Sequence, residues 1–164
     1  MIDTDYDAVF RAEHDAIVRS AFLVTGDRET AREVAQEAFA ELYVHWRKVR
    51  HYDRPGAWLR RVAIRKAVRV KQRQPDVGVL PPDLTSVATD PDVDAATLDV
   101  LRALHRLSPA QRVAIVLHYF EDRPVSEVAE ALGCKPATAS VHLHRARHRL
   151  AELLGEEVET DVPG

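Results

Sequence analysis

The chain has 164 residues, 46% of them hydrophobic and 30% charged, the balance of a folded globular protein of one or two small domains. A single cysteine, Cys134, excludes a disulfide framework and a cysteine-based zinc site, and six glycines without a GxGxxG or phosphate-loop spacing exclude the common nucleotide cradles. The formal net charge of −3 is unevenly spread, with 11 basic side chains against Asp53 alone in 46–75 and six Asp without Lys or Arg in 76–99, an electrostatic footprint for nucleic acid inside a mildly acidic chain.

In chain order, Ala8, Val9, Ala16, Ile17 and Leu23 predict a first helix over 5–25. Gly26 ends it and Asp27 caps the next. That second helix, over 28–49, turns Ala31, Val34, Ala35, Ala38, Leu42 and Trp46 inward. After the turn at Arg54-Pro55-Gly56, a third helix over 56–73 buries Trp58, Leu59, Val62, Ala63 and Ala67, enough to close a small bundle. Residues 74–94 hold four Pro and a run of Asp and read as a tether. Helices resume at 95–106, 109–121, 125–132 and 136–154, and no apolar alternation predicts a strand. The expectation is an all-α protein: two small helical domains, 1–73 and 95–155, joined by an acidic flexible linker, with an acidic tail over 156–164. No apolar run approaches the roughly 18 residues of a membrane span, and the acidic start MIDTDYDAVF is unlike a signal peptide. The expected location is the cytoplasm.

The sharpest motif lies in the second domain. Pro124 to Cys134 reads as a short helix ended by Gly133, and Pro136 opens a longer one. Two helices about a tight Gly turn make a helix-turn-helix, whose second helix enters the DNA major groove. Ala139, Leu143, Ala146 and Leu150 form its buried face, which leaves Ser140, Val141, His144, Arg145 and His148 outward. Lys135, Arg145, Arg147 and the amides at Thr138 suit phosphates, and the His and Ser side chains reach bases. A plain helical hairpin with a basic face is the competing reading. His144 and His148 stand at i, i+4, the spacing of a metal clasp, but solvated or DNA-facing histidines fit better; no metal and no cofactor is expected.

In the first domain Arg61, Arg65, Arg69 and Arg73 recur every four residues with Lys66 beside them, a ridge that can follow a phosphate backbone. His51, Tyr52 and Asp53 precede it in a loop, where an aromatic among cations suits an unstacked base.

Together these segments resemble a known family. Leu23 to Asp27, AREVAQEAF over 31–39, PGAWLRRVA over 55–63, Leu107 to Arg112, Tyr119 to Asp122, Glu127 to Ala129, Leu132 to Cys134 and His144 to Arg147 are similar, in order and spacing, to a bacterial RNA polymerase sigma factor of the extracytoplasmic-function group. The resemblance covers about 7–155 and implies a non-catalytic protein that binds core RNA polymerase, directs it to promoter DNA and helps open it. It implies core-polymerase contacts at Glu33, Gln36 and Glu37. It implies −10 contacts at His51, Tyr52, Asp53, Arg61, Arg65, Lys66 and Arg69. It implies −35 contacts at Lys135, Thr138, Ser140, Val141, His142, His144, Arg145 and Arg147. A restraining anti-sigma factor is the further expected partner. Arg65 stands where the family usually has Asn, Arg69 where it often has Asp, and Arg32 where it has Glu; Ser140, Val141 and His142 depart from the common Lys or Arg, Ser and Arg. A stand-alone helix-turn-helix regulator is the alternative, disfavoured by the basic third helix. An enzyme is disfavoured because no Ser/His/Asp or paired-carboxylate arrangement is readable among the eight His.

Overall fold

The computed structural model describes residues 4–73 and 94–155. The expected tether, apart from Asp94, and the expected tail at 156–164 lie outside the described residues. The chain divides into two compact units, Met1–Val77 and Gly78–Gly164. Every regular element among the described residues is helical.

The first unit holds α1 (Thr4–Thr25), α2 (Arg28–Val44), the single turn α3 (Trp46–Val49) and α4 (Pro55–Arg73). Helices α1, α2 and α4 pack pairwise against one another, around Ile17, Val24, Val34, Leu42, Leu59 and Ile64. Gly26 ends α1 at φ +73°, its N–H donating to the Phe22 carbonyl at 2.7 Å; a residue with a Cβ would be strained there. Asp27 then caps α2, its carboxylate accepting from the Glu29 and Thr30 N–H groups at 2.9 and 3.3 Å.

Two expectations need correction in this unit, one in α2 and one in α4. The helix expected over 28–49 breaks at His45, whose backbone near φ −97°, ψ 10° lies in the bridge region outside the α well. In α1, Ala8 is exposed and Val9 and Ala16 only half-buried. An aromatic stripe at i, i+4 reaches α2 instead: the Tyr6 hydroxyl donates to the Phe39 carbonyl at 2.9 Å, and the Phe10 and Phe39 rings lie 4.6 Å apart. Burial, with Asp7 and Tyr43 adding to it, pushes the Tyr6 hydroxyl above the ordinary tyrosine range. In α4, Trp58 and Val62 are half-buried, and Ile64 and Val68 complete the inward face.

The second unit holds α5 (Ala95–Leu104), α6 (Pro109–Ile115), a π-turn (Val116–Phe120), α7 (Val125–Leu132) and α8 (Pro136–Leu154). Helix α8 packs on α5, α6 and α7. Ser108 and Gln111 cap α6 reciprocally, each side chain accepting from the other's backbone N–H, at 3.2 and 3.3 Å. The helix expected over 109–121 is α-helical only to Ile115; beyond it the Glu121 N–H reaches back five residues to the Val116 carbonyl at 3.0 Å. Arg112, 1% exposed, donates to the carbonyls of Leu104, His105 and Leu107 at 2.9, 3.2 and 3.2 Å. It closes the C-terminal end of α5 from inside the core.

Candidate nucleic-acid interface

Helix α7 ends at Gly133, which adopts φ +67°, and the Cys134 N–H returns to the Ala129 carbonyl at 3.0 Å. This glycine turn sets α8 off from α7, and Pro136 opens α8 where no N–H is needed. Ala139, Leu143 and Ala146 are buried, while Leu150 is only half-buried. The opposite face presents Ser140, Val141, His144 and Arg145, all exposed, with Lys135 and Thr138 exposed at its N-terminal end. His142 is half-buried beside that face. Arg147 lies on another edge and donates to the Tyr119 hydroxyl at 3.1 Å, so the structure places it with the π-turn rather than with Arg145.

In the first unit His51, Tyr52 and Asp53 fall together on the exposed turn between α3 and α4. Arg65, Arg69 and Arg73 form an exposed ridge along α4, and Arg61 is half-buried at its start. Lys66 is not on that ridge. It faces α2, with its Nζ 3.9 Å from Glu37 Oε2 and 3.6 Å from Glu41 Oε2. The predicted DNA and polymerase groups therefore meet at one ion cluster on the α2–α4 edge.

On α2, Glu33, Gln36, Glu37 and Ala40 are exposed opposite the buried stripe. The same face runs on to Tyr43 and Val44, 72% and 74% exposed. Sequence reading missed this pair, although their i+3 and i+4 spacing from Ala40 was a usable signal. It also missed Glu13, whose Oε2 accepts from Arg60 Nε at 2.7 Å. A Cβ on Gly56 would lie 2.6 Å from that carboxylate, so glycine leaves the space that the ion pair fills.

Comparison with known proteins follows the same division of the chain. The family model described as Sigma-70 region 2 matches residues 9–75, and the one described as Sigma-70, region 4 matches 97–150. The RNA polymerase sigma-E factor of Streptomyces coelicolor is 34% identical over 160 residues, covering 92% of this chain and 86% of that one. The probable ECF RNA polymerase sigma factor SigI of Mycobacterium tuberculosis is 31% identical, covering 88% and 54%. Among solved structures, the sigma factor RpoE of Bartonella quintana, in complex with the anti-sigma factor NepR, matches 95% of this chain and 100% of that one, with a TM-score of 0.73 and 20% identity. That likeness is one of fold. The extracytoplasmic function sigma factor SigJ of M. tuberculosis matches at TM-score 0.62 and 31% identity over 88% of this chain and 52% of that one. No described helix is long and apolar enough to cross a membrane. The chain belongs to the extracytoplasmic-function group of sigma-70 RNA polymerase sigma factors, proteins of promoter-directed transcription initiation.

Proposed function

We propose that the two units divide the work of promoter recognition, 1–73 taking core polymerase and the −10 element and 95–155 taking the −35 element. The outward face of α2, with Glu33, Gln36 and Glu37, receives a basic surface of the polymerase, and exposed Tyr43 and Val44 extend that contact with apolar area. His51, Tyr52 and Asp53 capture an extruded base while Arg61, Arg65 and Arg69 follow the phosphates. Helix α8 reads duplex DNA through Lys135, Thr138, Ser140, Val141, His142, His144 and Arg145. Arg147 joins from its edge if it leaves Tyr119. Lys66, paired with Glu37 and Glu41, adds its −10 contact from the edge between the two surfaces of the first unit.

One observation carries this reading: Arg65, Arg69 and Arg73 of α4 and Arg145 of α8 stand on exposed faces opposite buried stripes, while Glu33, Gln36 and Glu37 stand on the exposed face of α2. A family of initiation factors acts by binding and melting, so recognition rather than catalysis is the assigned role, exercised in the cytoplasm where polymerase and promoters are. The complex of the Bartonella quintana relative extends to this chain as an anti-sigma partner that restrains it by covering those faces. Transcription in vitro with core polymerase, followed by sequencing of the enriched promoters, tests the assignment. The expected result is co-purification with core polymerase and start sites that share two spaced elements; duplex binding without polymerase binding would return the protein to the class of stand-alone regulators.

A further inference from the structure

From His144 and Arg145 onward, α8 borders a cleft of about 500 Å3 lined by Gln111, His144, Arg145, His148, Arg149 and Glu152. The lining carries two guanidinium groups against one carboxylate, and that carboxylate is engaged: Arg149 Nη1 donates to Glu152 Oε2 at 3.4 Å. The His144 and His148 rings meet edge to face with centroids 4.4 Å apart. Gln111 comes from the first turn of α6, where its Oε1 accepts the Ser108 N–H; its amide nitrogen remains a donor. A metal ion would sit between two arginines, and among the described residues no three ligating side chains gather. An anion instead meets donors from two helices. Phosphate is the anion that duplex DNA presents beside a helix in its groove.

We infer that this cleft is a phosphate subsite that extends the DNA contact of α8 to His148, Arg149 and Gln111, and that filling it takes up protons on the His144–His148 pair. The inference rests on reading α8 as the groove-entering helix. Histidine changes its charge between about pH 5 and 8, and a phosphate against the pair favours the charged form. Among the residues lining the cleft with the pair, the charged groups are Arg145, Arg149 and Glu152 on α8, and α6 contributes the neutral Gln111.

The test uses the full chain and a mixed-sequence DNA duplex, with binding followed by fluorescence anisotropy and the imidazole signals by NMR. Affinity is expected to rise from about pH 8 to about pH 6, its logarithm by up to about one unit per pH unit for each proton taken up. In His144→Gln/His148→Gln that dependence shrinks to the background of the remaining histidines, and in Glu152→Gln binding tightens at both pH values. His144→Gln alone, at an exposed position, serves if the double variant folds poorly, and it is expected to lose about half of the dependence. A variant profile superimposable on the parent's overturns the inference. Inorganic phosphate that shifts the two imidazoles when duplex does not overturns the DNA source and leaves a site for free phosphate. Arg145→Ala separates the two levels: if it weakens duplex binding while the histidine variants change nothing, only the subsite fails, and if it too has no effect, the reading of α8 fails with it.

Discussion

Gly56 shows how one residue sets the geometry of the turn into α4. It lies in the first turn of α4, and the Glu13 carboxylate occupies the space a Cβ would take, while also accepting from Arg60. Alanine is worth about 0.5–1 kcal/mol over glycine inside a helix, but here it displaces a half-buried, charge-assisted bond. We expect Gly56→Ala to destabilise the native chain yet stabilise Glu13→Ala, with a coupling of about 1 kcal/mol in a double-mutant cycle of chemical denaturation. Additive effects would show that the carboxylate moves aside at no cost. The two arginine surfaces separate by kind of defect. Arg145→Ala should weaken −35 duplex binding by about 1–2 kcal/mol and lower the salt slope by about one. Arg65→Ala should leave that binding unchanged and slow open-complex formation, as read by permanganate reactivity of the melted strand. Equal losses of duplex affinity in both variants would remove the division.

The helices differ in how plainly the chain announces them. The spans 125–132 and 136–154 were legible to the residue, because Gly133 and Pro136 punctuate them and a buried stripe recurs at four and three. The break at His45 and the π-turn at Val116–Phe120 were not, since neither Gly nor Pro marks them and tertiary packing decides the local geometry. Arg112 was hidden in another way: it is a buried cap for α5, and composition carries no burial. Arg112→Met should therefore cost about 3 kcal/mol or more, because three carbonyls lose their donor in the core; denaturation of the second unit measures it. Asp27→Ala should cost about 1 kcal/mol through the lost cap of α2. Asp94 caps α5 in the same manner. Its bonds from Thr97, side chain first and then backbone, hold its carboxyl below the usual Asp range. Its contribution is thus present above the unfolded Asp value and is lost as pH falls through the lower folded value.

The whole chain sorts its charge by segment, which is why the class of function was readable where the contacts were not. Sequence placed Glu37 with the polymerase and Lys66 with DNA; the fold brings them to one edge, a tertiary fact that periodicity within a single helix cannot contain. That contact also decides which variant tests the polymerase face. A lysine at position 37 would stand beside Lys66, so a loss of binding there would mix repulsion within the fold with loss of an interface. Glu33 and Gln36 are exposed on the same face, Glu33 one turn before Glu37 and Gln36 next to it, while Lys66 pairs with Glu37 and Glu41. Charges at such exposed sites contribute about 0–1 kcal/mol to folding even when paired. Across an interface with a basic surface they fix orientation and speed association. Glu33→Lys/Gln36→Lys should therefore reduce binding to core polymerase by at least about tenfold, through repulsion at the encounter. Its unfolding free energy should stay within about 0.5 kcal/mol per substitution, and its −35 duplex affinity should not change. Native polymerase affinity in that variant would remove the assignment of this face. Lost affinity accompanied by unfolding would show instead that the outward acids of α2 support the bundle.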